Sequence, residues 1–156
     1  MQTFEILSSN TAETHTIARS LGKLLQKGDV VLLEGDLGAG KTTFTKGIAD
    51  GLDIIRNVNS PTFTIIKEYM GRLPLYHMDV YRVADSYEDL GFDEYFYGGG
   101  VTVVEWAHLI KEQLPTEYLT IYLYHAGDDQ RKFKFEPVGE RYEVLCKELR
   151  DENTSD

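Results

Sequence analysis

Gly35-Asp36-Leu37-Gly38-Ala39-Gly40-Lys41-Thr42 fits the phosphate-loop pattern G-x-x-x-x-G-K-[ST] without a gap. The stretch before it, Asp29-Val30-Val31-Leu32-Leu33-Glu34, is a short apolar run suited to a buried parallel strand. Thr42 to Leu52 can follow as a helix, so strand, loop and helix come in the order a phosphate loop requires. Three glycines in six positions let the backbone turn its N–H groups inward. A helix starting just behind them adds its positive dipole end, which favours an anion. Gly35, Asp36, Leu37, Gly38, Ala39 and Gly40 are therefore expected to cradle a triphosphate, with Lys41 reaching its outer phosphates. The hydroxyl of Thr42 is placed for Mg²⁺, and Thr43 faces the inner phosphates.

The fold that this implies is α/β, a three-layer arrangement of the P-loop NTPase type with a mixed, mostly parallel central sheet flanked by helices. At 156 residues the chain reads as a single domain, residues 1–156, large enough to bury about two-thirds of its unfolded surface. Its one cysteine, Cys146, can form no internal disulfide and is expected to be a buried structural thiol in a reducing compartment. No apolar run approaches the length of a membrane span, and Met1-Gln2-Thr3-Phe4-Glu5 lacks the basic start of a signal peptide. A cytoplasmic location follows as the expectation. The formal charge of −10 argues against broad binding to nucleic acid, which depends on Lys and Arg neutralising phosphates.

Outward from the loop, Thr3-Phe4-Glu5-Ile6-Leu7 reads as a strand. Asn10 and Glu13 form a capping box ahead of Ile17, Leu21, Leu24 and Leu25, which recur at helical spacing up to Lys27-Gly28. His15 and Arg19 fall on the solvated side of that helix. Beyond the loop helix, Ser60-Pro61-Thr62-Phe63-Thr64 turns into a strand continuing to Tyr69, and Met70-Gly71-Arg72 joins it to Leu73–Asp79 as a hairpin. Ser60 to Thr64 stands where nucleotide switches reach over a terminal phosphate, although an ordinary turn accounts for the position equally well.

Two acids end apolar runs, Asp79 after Leu75-Tyr76-His77-Met78 and Glu105 after Val101-Thr102-Val103-Val104. Such ends are where a Mg²⁺ ligand or a water-orienting base sits. Glu105, on the more buried strand, is expected beside Lys41 and Thr42. Trp106, the sole tryptophan, reads either as a buried aromatic or as a stacking or docking side chain. Ser86 to Gly91 reads as a short helix, with a partner-like or edge-like surface over Asp93-Glu94-Tyr95-Phe96-Tyr97. Leu119, Ile121 and Leu123 alternate with polar neighbours, as do Phe133 and Phe135, giving a hairpin of half-exposed strands. A helix over Gly139 to Arg150 follows, with Asp151 to Asp156 fraying as an acidic tail. His77, His108 and His125 lack partners at metal-ligand spacing and read as structural.

Four blocks in order then carry a resemblance: the loop through Thr43, Ser60-Pro61-Thr62-Phe63-Thr64, Tyr76-His77-Met78-Asp79-Val80-Tyr81-Arg82, and Val104-Glu105-Trp106. Together they resemble the bacterial TsaE family, also called YjeE or YdiB, over about positions 4 to 125. The resemblance implies a P-loop ATPase needed to form N6-threonylcarbamoyladenosine in tRNAs that read codons beginning with adenosine. It implies a TsaB–TsaD heterodimer as partner, ATP and Mg²⁺ as ligands, and tRNA engaged only through the complex. By position it assigns phosphate contacts to Lys41 and Thr43, Mg²⁺ to Thr42 and Glu105, and water activation to Asp79. Ser60 to Thr64 becomes the switch-like segment, and Thr11 lies near the adenine. Ala107 departs from the proline that many relatives carry after Glu-Trp, and the acidic tail matches no family block.

The same loop also serves small-molecule kinases and nucleotide-gated switches. A kinase is disfavoured because no substrate-binding insertion or lid is visible, and the absence of Asn-Lys-x-Asp disfavours guanine. Arg56 and Arg82 are arginine-finger candidates by context only, each equally suited to a surface ion pair.

Overall fold

The computed structural model describes residues 3–35, 40–55, 66–79, 92–127 and 130–154. In chain order these form β1 (Phe4–Ser8), α1 (Thr11–Leu24), β2 (Val30–Glu34), α2 (Lys41–Gly51), β3 (Ile66–Tyr69) and β4 (Leu75–Asp79). There follow α3 (Phe92–Phe96), β5 (Val101–Glu105), a 3₁₀ helix (Ala107–Gln113), β6 (Tyr118–His125), β7 (Arg131–Val138) and α4 (Glu140–Thr154). The strands make one sheet in the order β1-β7-β6-β2-β5-β4-β3. The four strands β6, β2, β5 and β4 are mutually parallel, and antiparallel pairings attach β7 with β1 on one side and β3 on the other. Only β7 and β3 run against the rest, which makes the sheet mixed and mostly parallel, as the sequence predicts.

The sequence predicts the strand after the loop helix from Phe63; residues 63–65 lie outside the described residues, and β3 begins at Ile66. The antiparallel hairpin across Met70-Gly71-Arg72 is present, with Tyr69 opposite Leu75. The short helix expected over Ser86–Gly91 also lies outside the described residues, and α3 follows it.

The two sheet faces are unequally covered. On one, α1, α2 and α4 pack over Val31, Leu33, Val103, Leu119, Ile121, Phe133 and Phe135, forming the larger core. On the other, Phe96 of α3 and Ala107 of the 3₁₀ helix cover Val30, Leu32, Met78 and Val104. Strands β6 and β7 bury Leu119, Ile121, Phe133 and Phe135 fully on one face, and Thr120 on the other face of β6 is buried as well, so β6 is less exposed than its alternation suggests. Tyr124 is exposed on the opposite face, and Lys132 and Lys134 are half-buried there.

Local signals explain where the helices begin. The Asn10 side chain accepts from the Glu13 N–H at 2.9 Å, and the Glu13 carboxylate takes the Ser9 N–H at 3.2 Å. The box therefore closes one residue earlier than the reciprocal form. α1 then crosses α2 at close range. A Cβ on Gly22 would lie 2.3 Å from the Ile48 carbonyl oxygen, and one on Gly51 would lie 2.3 Å from that of Arg19. His15 is less solvated in role than its helical position suggests, because its Nε2 meets Asp50 of α2 at 2.8 Å across the same crossing. Helix α4 corrects the expected end at Arg150: it is helical through Thr154. No glycine or proline stands between Leu149 and Thr154 to stop it.

Helix α4 is fastened by two contacts at the start of β2. Arg141 grips Asp29 through Nε at 3.1 Å and a second nitrogen at 2.7 Å. The Tyr142 hydroxyl accepts the Val30 N–H at 2.9 Å, and burial pushes that phenol up to about 12. Cys146, buried as expected, has its thiol pushed from 9.0 up to about 12, chiefly by desolvation.

Gly22→Ala should lower stability by about 1–3 kcal/mol despite the better helix propensity of alanine, because the added methyl forces the helices apart; urea unfolding followed by circular dichroism measures it. The thiol gives a pH prediction. The unfolded chain releases the Cys146 proton near 9 while the folded chain holds it to about 12, so the folded state binds the extra proton and stability falls as pH rises through that window. Cys146→Ala should reduce the alkaline slope of the urea midpoint above pH 9, leaving a remaining decline above pH 10 to which Tyr142 and Tyr122, both raised by burial, contribute.

Candidate functional site

Parallel pairing brings three strand ends to one edge. Leu33 of β2 lies opposite Glu105 of β5, and Asp79 of β4 lies opposite Glu105 on the other side. Gly35 follows β2 directly, and α2 starts at Lys41 behind a loop whose residues 36–39 lie outside the described residues. Gly40 closes that loop at φ 101°, a left-handed conformation that glycine adopts without strain, and no side chain caps the helix there. An uncapped helix start presents its first N–H groups and positive dipole end outward, which suits an anion. Thr42 and Thr43 are half-buried in this first turn.

Lys41 is 5% exposed. Its ammonium donates to the Gly35 carbonyl at 2.8 Å and stands 3.6 Å from the centroid of the Trp106 ring. The aromatic face adds a cation–π attraction to the hydrogen bond. Because Trp106 immediately follows Glu105, this contact brings the end of β5 beside the start of α2. The two readings of Trp106 merge: the ring packs against the smaller core and stacks on a cation.

Trp106 takes φ 64°, ψ 32°, a left-handed conformation that is an outlier for a bulky side chain. Glu34, the last residue of β2, holds the segment that follows. Its carboxylate accepts the His108 backbone N–H at 3.0 Å and meets His108 Nδ1 at 2.6 Å. Ala107 is 1% exposed and opens the 3₁₀ helix.

Glu105 is 4% exposed and His77 is fully buried. They meet through His77 Nε2 and Glu105 Oε2 at 2.5 Å, while His77 Nδ1 has no hydrogen-bond partner among the described residues. Asp79 is half-buried one residue pair further along β4 on the same face. Sequence reading missed the two histidine–carboxylate pairs at this edge, whose members lie 28 and 74 residues apart. The available signal was the i, i+2 spacing of His77 and Asp79, which puts both on one face of a strand.

A further basic group escaped the sequence reading. Arg131 opens β7 opposite Ser8, and its Nε stands 3.8 Å from where a Cβ on Gly40 would lie. The strands β6 and β7 are on the far side of β2 from β5, so Arg131 flanks the loop opposite Glu105. Thr11 is exposed at the first turn of α1, three residues beyond Ser8. Ser60 to Thr64, Arg56 and Arg82 lie outside the described residues.

Among the described residues no group of three or more His, Cys, Asp or Glu could cage a metal ion. Mg²⁺ is commonly held by one or two carboxylates together with substrate phosphates. A donor set of Glu105 and the Thr42 hydroxyl at an anion-favouring helix start fits that mode.

Comparison with known proteins places the chain in a family. The sequence signature of the family described as "Threonylcarbamoyl adenosine biosynthesis protein TsaE" matches residues 8–133. A tRNA threonylcarbamoyladenosine biosynthesis protein TsaE from Bacillus subtilis is 64% identical over 148 residues, 94% of each chain. One from Treponema pallidum is 44% identical over 128 residues, 81% of this chain and 95% of the relative. The crystal structure of Bacillus subtilis YdiB superposes with a TM-score of 0.87 at 55% identity, covering 98% of this chain and 97% of that one.

Glu34→Ala should release the 3₁₀ helix from the end of β2 and with it the left-handed turn at Trp106. The emission of the single tryptophan should shift to the red and become more accessible to acrylamide, with a stability loss of about 1–2 kcal/mol for hydrogen bonds to a partly exposed charged group. Unchanged emission would mean that the turn holds itself.

Proposed function

The chain belongs to the TsaE family of threonylcarbamoyl adenosine biosynthesis proteins, and from that premise we propose that it is an ATPase of this pathway. On this reading it acts with a TsaB–TsaD heterodimer to sustain formation of N6-threonylcarbamoyladenosine in tRNAs that read codons beginning with adenosine. The observation that carries the proposal is the convergence of Lys41, at an uncapped helix start, with the end of β5 that bears Glu105. The cytoplasm is the proposed site of action.

The reaction is attack of water on the terminal phosphate, breaking its bond to the bridging oxygen and releasing ADP and inorganic phosphate. Lys41 exchanges the Gly35 carbonyl and the Trp106 ring for phosphate oxygens. Full negative charge makes those oxygens the stronger acceptors. Backbone N–H groups at the start of α2 add to that stabilisation without reorganising. Thr42 and Glu105 would hold Mg²⁺, which when bound offsets phosphate charge. Asp79, level with Glu105 on the neighbouring strand, orients the attacking water and accepts its proton. Arg131, beside Gly40 and away from Glu105, serves the nucleoside side of the ligand, as does Thr11. No arginine of this chain is assigned to the transition state, and a partner-supplied contact would raise a slow intrinsic rate.

The test compares wild type with Lys41→Ala, each with and without TsaB–TsaD, following ATP hydrolysis and tRNA threonylcarbamoylation together. Wild type should hydrolyse slowly alone and faster with the pair, and the variant should lose at least about 100-fold in rate, the scale of removing one preorganised charge-stabilising group. Sustained modification should be lost with it. Wild type that binds ATP without hydrolysing it or sustaining modification would make the chain a nucleotide-gated switch.

A further inference from the structure

We propose that His77 is a positioning residue for Glu105, fixing one carboxylate oxygen so that the other is presented to a divalent cation at the mouth of the glycine-rich loop. The inference rests on the reading of Glu105 as a cation ligand and extends it to a residue two positions before Asp79 on the adjoining strand. Its ground is geometric. Glu105 ends β5 with only 6% of its side chain exposed, and its Oε2 meets a fully buried imidazole nitrogen at 2.5 Å. Oε1 makes no hydrogen bond to a described residue.

With Glu105 as a carboxylate, His77 Nε2 carries the proton and donates it into the bond. Nδ1 has no partner among the described residues. This arrangement is a poor way to fill a core. Met78 and Val103 beside it are wholly apolar, and an apolar side chain at position 77 would leave no buried nitrogen unsatisfied. Buried ionic pairs often add nothing to stability over apolar replacements of similar size. What the imidazole does supply is orientation. A glutamate has three side-chain torsions, and a short bond from a side chain that cannot itself move removes their freedom at the carboxylate. Partners behind a metal ligand tune affinity in this manner, and their loss typically weakens metal binding about 10–100-fold.

The register explains why position 77 can do this. Asp79 lies opposite Glu105, so His77 is one pair back on the same face, opposite Val103. From there its Nε2 reaches Glu105 Oε2.

The experiment titrates Mg²⁺ calorimetrically into the protein saturated with ADP, for wild type, His77→Gln, His77→Asn and His77→Leu. Glutamine places an amide N–H near the imidazole Nε2, whereas asparagine places its amide near Nδ1, short of Glu105. His77→Gln should keep Mg²⁺ affinity within about 3-fold, while His77→Asn and His77→Leu should lose about 10–100-fold. ADP affinity without Mg²⁺ should stay within about 2-fold in all of them, since that contact does not involve the carboxylate. Equal Mg²⁺ affinity in the asparagine and glutamine variants overturns the proposal, and so does a parallel fall in metal-free ADP binding. The Asn–Gln contrast stands even where His77→Leu fails to fold. If wild type binds ADP with no response to Mg²⁺, the reading of Glu105 fails and the proposal falls with it; if wild type responds and the asparagine variant matches it, the role of His77 alone fails.

Discussion

Three parallel pairings, β6 with β2, β2 with β5 and β5 with β4, determine where the two strand-end acids and the glycine-rich loop stand. A parallel ladder brings the carboxyl ends of its strands to the same edge, and the register here places Leu33, Glu105 and Asp79 side by side. The loop must then leave the sheet next to both acids. Everything else follows as support: α1 braces α2 through glycine contacts, α4 clips Asp29 and Val30 at the opposite end of β2, and the 3₁₀ helix covers the exit of β5. The candidate site lies at this edge, and the packing that fixes it lies well behind.

At the edge itself, local strain and electrostatics hold one another in place. Trp106 occupies a backbone conformation that costs of order 1 kcal/mol or more for a bulky residue, and it does so between two anchors. On one side the Glu34 carboxylate takes the backbone and ring of His108; on the other the Lys41 ammonium lies against the indole face. Glu34 and Glu105 each end a central strand and each engage a histidine, yet their settings differ. The Glu34 pair is open to solvent at His108, so it acts as a clasp. The Glu105 pair is closed to solvent, so it acts as a mount.

Much of the fold was legible because it rests on signals local in sequence. Periodicity gave β2, α1 and the β6–β7 hairpin, and the glycine pattern with Lys41 gave the join between β2 and α2. The chemistry of the loop set a direction for the sheet, from which the ends of β4 and β5 could be chosen as the places for acids. The groups that escaped are those whose partners are remote. Nothing near His77 signals Glu105, and nothing near His108 signals Glu34; only the register and the left-handed turn at Trp106 bring them together. Arg131 was hidden because it opens a strand with no link in sequence to the loop. The end of α4 was missed because charge suggested fraying, whereas backbone propensity with no stop residue carried the helix on to Thr154.

The strand order also bears on how the chain is made. β1, which precedes the loop in sequence, pairs only with β7, with Phe4 opposite Phe135. β2 pairs with β6 and β5, with Val31 opposite Leu119 on one side and Val103 on the other. On the ribosome the glycine-rich loop is therefore translated long before the strands that flank it, and the hairpins β3–β4 and β6–β7 are the pairings that can close as soon as they emerge. The sheet closes only once β7 is available. Nascent chains stalled before β6 would carry the loop sequence while β2 still lacks one of its two neighbours, so the sheet around the loop is completed late.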